Sequence, residues 1–157
     1  MSEIGPPRRR SARERTPETA RLSAGVAVVR RSQREWLFLL LRAYRNWDFP
    51  KGLVEPHETP LAAARREVAE EAGITDLRFM WGEVFYETPP YAGNKIARYY
   101  VAATSIERAT LSVQPSLGRP EHHEWRWVSV GEALSLVVPR LQRVVSWAAA
   151  VIEAAPK

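Results

Sequence analysis

The chain has 157 residues, 45% of them hydrophobic and 26% charged, with a formal net charge of +5 and no cysteine. That length accommodates one ordinary domain with a substantial core. The absence of cysteine excludes disulfide staples and thiolate metal sites and fits a reducing, cytoplasmic setting, and no apolar run approaches the length of a membrane span.

The charge is unevenly placed. Residues 1–21 hold six Arg against three Glu, which is +3 of the total, with almost no apolar residues. This stretch reads as a flexible basic tail, and residues 22–157 as a single domain. Arg8, Arg9 and Arg10 could meet a phosphate backbone, which keeps RNA among the candidate partners, although a short basic tail is more often simply solvated.

The β-rich runs Leu22 to Arg30 and Trp36 to Arg42, joined by polar Arg31 to Glu35, predict a hairpin of core strands. The run Phe38 to Leu41 is continuously apolar, as in a strand covered on both faces, and favours an α/β/α sandwich. Asn46 to Gly52 adds a short aromatic strand in which Trp47 and Phe49 read as packing residues. Thr59 then supplies an N-cap, Pro60 suits the first helical position and Gly73 suits a left-handed stop, so a helix is predicted over 60–72.

On that helix Leu61, Ala64, Val68 and Ala72 form one stripe, while Glu67, Glu70 and Glu71 cluster on an adjoining one. Three carboxylates at i, i+3 and i+4 repel one another unless cations intervene. A hard divalent ion, magnesium or manganese, suits such an oxygen-rich set. The competing explanation is a solvated acidic face balanced by Arg65 and Arg66.

Farther along, Leu77 to Thr88 reads as a strand and residues 89–94 as a loop that could form a substrate lip. Lys95 to Ala103 is another strand with Lys95 at its mouth. Residues 105–119 form a polar connection, and Pro120 to Val128 form an acidic loop running into a final short strand. His122 and His123 are candidate bases or metal ligands, with exposed bystanders the favoured alternative. A capped turn at Ser129 to Leu134 and a closing helix over 139–154 complete the chain.

The full spacing sharpens the acidic helix. Gly52, five residues, Glu58, seven residues, Arg66-Glu67-Val68, one residue, Glu70-Glu71, one residue and Gly73-Ile74 resemble the Nudix box at every specified position. The resemblance implies a Nudix-type α/β/α sandwich with a mixed sheet and a catalytic loop-helix-loop, and magnesium- or manganese-dependent hydrolysis of a phosphoanhydride. It implies Glu67, Glu70 and Glu71 as metal ligands, with Glu121 and a backbone oxygen at Lys51 or Gly52 as further contributors. The catalytic set becomes Glu58, Arg66, Glu67, Glu71 and Glu121: Glu67 or Glu121 as base, Glu58 near the metal, Arg66 pairing with carboxylates.

Trp47 to Gly52 before the box and the Lys95-initiated, Tyr-rich strand after it are most similar to the diadenosine tetraphosphate hydrolase branch. That branch implies asymmetric cleavage to ATP and AMP. Lys51 and Lys95 would counter phosphate charge, and Tyr86, Tyr91 or Tyr99 would stack a base. RNA 5′-end pyrophosphate removal is the alternative that Glu121 before Trp125-Arg126-Trp127 also supports. A nucleotide-binding regulator without catalysis would be expected to carry an eroded box.

Overall fold

Backbone pairing in the computed structural model, which describes residues 21–114 and 119–154, begins with a hairpin. Strands β1 (Arg21–Ser32) and β2 (Glu35–Ala43) pair antiparallel as far as Ser32 opposite Glu35. The connection is therefore only Gln33-Arg34, tighter than the polar stretch suggested. The predicted basic tail lies outside the described residues, apart from Arg21, which opens β1.

The chain continues through β3 (Asn46–Asp48), β4 (Lys51–Leu53), helix α1 (Pro60–Ala72), β5 (Phe85–Glu87) and β6 (Lys95–Ala103). It closes with β7 (Val113–Gln114), β8 (Arg119–Pro120), β9 (Glu124–Val128), α2 (Val130–Leu136) and α3 (Pro139–Ala154). The main sheet runs β3-β2-β1-β6-β5, with β4 also on β1 and β9 also on β2. The β1–β6 pair is parallel and the others are antiparallel, so the sheet is mixed.

Alternation along the two long strands builds two cores, because successive side chains point to opposite faces. Ala27, Val29, Phe38 and Leu40 pack on one face with Ala133 of α2 and Leu141, Val144, Val145 and Ala148 of α3. Val26, Val28, Leu39 and Leu41 pack on the other with Ala63, Ala64, Val68 and Ala72 of α1. Hence Phe38 to Leu41 is apolar throughout: each face of β2 has its own helix layer, and the architecture is an α/β/α sandwich.

One expected strand is not formed. Leu77 to Thr88 gives an isolated bridge at Arg78, a turn through Trp81 and Gly82, and only the short β5. Its aromatic residues are used for packing instead: Trp81 meets Trp36 edge-on and Tyr86 tilts against Trp147. Among the described residues, no helix is long and apolar enough to cross a membrane.

Candidate active site

Helix α1 is fixed at both ends by its own sequence. The Thr59 side chain accepts from the Ala62 N–H at 3.1 Å, and Gly73, at φ 70 and ψ 23, donates its N–H to the Ala69 carbonyl. With the Ala63, Ala64, Val68 and Ala72 face buried, Glu67 and Glu71, one turn apart, are carried toward strand β4.

There β4 meets the helix closely. The Lys51 N–H donates to Glu71 Oε1 at 3.2 Å, and a Cβ placed on Gly52 would overlap the Glu67 carboxylate. Glycine at 52 is thus required by close approach: any side chain would displace the acid. Glu71 is 8% exposed, which excludes the solvated-face explanation for this residue. Burial first, then the neighbouring Glu121 and Glu67 charges, push its pKa up to about 9. Glu67 is raised as well, by burial, with Arg66 opposing.

Arg66 organises the rim. Its Nε and Nη2 donate to the two Glu58 oxygens at 2.7 and 2.9 Å, and its Nη1 donates to Glu67 at 2.9 Å and to Glu70 at 3.3 Å. Nη2 also reaches the Leu53 carbonyl at 3.1 Å, tying the guanidinium to β4. The bidentate hydrogen bonds from Arg66 hold Glu58 down at about 2. As the sequence suggested, Arg66 pairs with the carboxylates of the motif.

The three helix glutamates do not converge as one set. Glu70 projects outward, its side chain 53% exposed, and is held by Arg66 one turn earlier. Glu71 instead converges with residues from the loop before β9: ligand atoms of Glu71, Glu121 and His122 all lie within 4.8 Å of one another. Glu124, which opens β9, is taken up by Arg42 at 2.9 Å and Arg126 at 3.1 Å. His123 packs edge-on to Tyr44. His122 is half-buried, and burial lowers its pKa against the pull of Glu121.

The donor set fits a divalent cation. The buried Glu71 carboxylate faces Glu121 and Glu67 with a His122 ring nitrogen beside it, while Arg66 pairs with Glu55, Glu58, Glu67 and Glu70.

Beside Glu71, the Lys51 ammonium extends toward Asp48 at 3.5 Å. Burial works against its ammonium group, but Asp48, Tyr91 and Glu71 together outweigh it and raise the pKa. Tyr99 requires a correction. It is 0% exposed, and its hydroxyl donates to Asp48 Oδ1 at 3.1 Å, so its ring is a core element with no face left for a base. Tyr86 and Tyr91 are half-buried, Tyr91 beneath the Arg140 guanidinium. Lys95 begins β6 opposite Arg21, and its backbone bridges Tyr91 across the lip loop.

A family model described as the NUDIX domain matches residues 19–148. The chain belongs to the Nudix hydrolase family. An RNA pyrophosphohydrolase of Caulobacter vibrioides is 34% identical over 136 residues, covering 76% of this chain and 77% of that protein. Among solved structures, an Ap4A hydrolase of C. elegans in a binary complex superposes with a TM-score of 0.69 at 25% identity, covering 87% of this chain and 100% of that one. The NUDIX domain of Shewanella oneidensis NrtR bound to ADP ribose shares the fold, with a TM-score of 0.67 at 12% identity.

Within this Nudix hydrolase, helix spacing singled out Glu67, Glu70 and Glu71, and the resemblance to the Nudix box added Gly52, Glu58 and Arg66. His122 and His123 were candidate bases or metal ligands, with exposed bystanders favoured; no sequence periodicity could connect His122 to Glu71.

Proposed function

We propose that this Nudix hydrolase cleaves a phosphoanhydride bond of a nucleoside polyphosphate with magnesium or manganese held by Glu67, Glu71 and Glu121, assisted by a β4 backbone oxygen at Lys51 or Gly52. The observation that carries this is Glu71, a buried acid with two further acids beside it and, among the described residues, one hydrogen-bond donor, the Lys51 N–H, to answer it. The bound ion would neutralise phosphate oxygens and lower the pKa of the attacking water.

The chain's own residues supply the rest. Glu121 has no cation partner among the described residues, and its carboxylate oxygen not given to the ion accepts the water proton. Glu67, paired with Arg66 at 2.9 Å, stays a ligand. Glu58 holds Arg66 in place, and Lys51 and Lys95 counter phosphate charge at the mouth. Tyr86 and Tyr91 are the rings available to a base.

For the substrate, diadenosine tetraphosphate cleaved asymmetrically to ATP and AMP is the first reading, supported by the likeness to the C. elegans Ap4A hydrolase over its full length. RNA 5′-end pyrophosphate removal is the second, favoured by the relatives named RNA pyrophosphohydrolase. The cysteine-free composition supports a cytoplasmic enzyme.

Product analysis with diadenosine tetraphosphate and magnesium tests the proposal, with ATP plus AMP expected. Two ADP would overturn asymmetric cleavage, and pyrophosphate release from triphosphorylated RNA alone would replace the first substrate with the second. Glu71→Gln should abolish metal-dependent turnover on either substrate while the circular dichroism spectrum is unchanged; full activity would overturn the metal assignment.

A further inference from the structure

We infer that His122 is a nitrogen ligand of the divalent ion, so that the centre is a mixed carboxylate–imidazole site selective for manganese over magnesium, resting on the metal site proposed above.

The geometry is specific. An imidazole nitrogen of His122 shares a 4.8 Å neighbourhood with carboxylate oxygens of Glu71 and Glu121, yet no ion pair within 4.0 Å joins the ring to either acid among the described residues. Metal–ligand bonds of about 2.0–2.2 Å place two ligand atoms of one ion about 3–4.4 Å apart, so a modest side-chain adjustment brings all three onto one ion. A direct hydrogen bond would require a closer approach of ring to acid.

The ring also lacks another occupation. His122 is half-buried but makes no hydrogen bond to any described residue. The nearby Asp48 is already engaged by the Phe49 N–H at 2.6 Å, the Tyr99 hydroxyl and the Lys51 ammonium. His123, the adjacent residue, is accounted for by its edge-on packing against Tyr44, and its N–H is tied to the Arg42 carbonyl at 2.7 Å. This backbone bond anchors the loop beside the end of β2 and holds His122 at the site.

The chemical consequence follows from ligand type. Magnesium prefers oxygen donors in a strict octahedron and keeps its water, whereas imidazole suits later first-row ions and is tolerated by manganese. One nitrogen donor among the carboxylates therefore shifts selectivity toward manganese without excluding magnesium.

The test loads the full-length chain with Mn²⁺ and reads nitrogen coupling by pulsed electron paramagnetic resonance, with affinities measured by titration. Directly coordinated imidazole ¹⁴N should be seen in the wild type, be lost in His122→Gln and persist in His123→Gln. The ratio of Mn²⁺ to Mg²⁺ affinity should fall roughly tenfold or more in His122→Gln. A wild-type spectrum without imidazole coupling, or an unchanged ratio, overturns the inference.

Glu71→Gln separates the two levels of argument. If it abolishes Mn²⁺ binding while the wild type shows no nitrogen coupling, only the His122 assignment fails. If it leaves binding intact, the underlying metal site fails as well. The wild-type spectrum alone decides the imidazole question, so a poorly folding His122→Gln does not leave it open.

Discussion

Gly52 and Arg66 show how individual residues set the charge geometry that the chemistry needs. Gly52 gives Glu67 the space its carboxylate fills against β4, and Arg66 holds that carboxylate and Glu58 in one fork. Gly52→Ala should therefore displace the Glu67 carboxylate while leaving the core untouched. Turnover and metal affinity are expected to fall roughly 10–100-fold, by analogy with disturbing groups that orient metal ligands. Metal titration together with thermal unfolding checks this, and unchanged affinity with a large drop in melting temperature would show that the glycine serves the fold alone. At this scale Glu67, Glu71 and Arg66 were legible because a helix converts spacing directly into a face. Tyr99 was not, since strand alternation alone does not say which of Tyr86, Tyr91 and Tyr99 is sealed beneath a helix.

Helix α1 is the element that presents the acids, and its limits come from local chemistry. The Thr59 side chain satisfies an N-terminal N–H that has no partner within the helix, and Gly73 adopts the left-handed conformation that ends it. Thr59→Ala should lower stability by about 1 kcal/mol, the usual cost of losing an N-cap side chain. Urea unfolding reads the loss, which should appear as a lower midpoint with an unchanged slope. A change in slope would instead indicate that the cap affects the extent of the cooperative unit. Helices α1 and α3 were both predicted over the residues they occupy, because caps and Pro60 mark α1 and an apolar period marks α3. The stretch Leu77 to Thr88 was overcalled as a strand because pairing requires a partner edge. Here β6 meets Arg78, residues 85–87 and the Thr88 N–H, and the ring contacts of Trp81 and Tyr86 take over the apolar pattern between and beside them.

Across the whole molecule, the sheet brings together acids that are distant in sequence. Helix α1 covers one face and presents Glu67 and Glu71, while β9, pairing with β2, delivers the loop carrying Glu121. The two-sided burial of β2 made the sandwich legible in advance; the meeting of Glu71 with residue 121 depended on strand order, which no local pattern encodes. That meeting links stability, pH and metal. In metal-free protein Glu71 has its pKa raised to about 9 from the ordinary 4.5, through burial, Glu121 and Glu67. Between those values the native state binds more protons than the unfolded state, so this group's contribution to stability falls as pH rises. Lys51, also facing Glu71, is raised from 10.5 and stays protonated below that value. His122 is lowered from 6.5 and so titrates below pH 7, while Glu67 is raised and acts in the same direction as Glu71. In the window from pH 7 to 9 the melting temperature in EDTA should therefore decline. Divalent metal requires the deprotonated carboxylate, so the increment in melting temperature on adding Mn²⁺ should grow over the same window. Differential scanning calorimetry of the wild type and Glu71→Gln measures both slopes. The variant should flatten them, and an equally steep decline in Glu71→Gln would move the origin of the pH dependence away from this carboxylate.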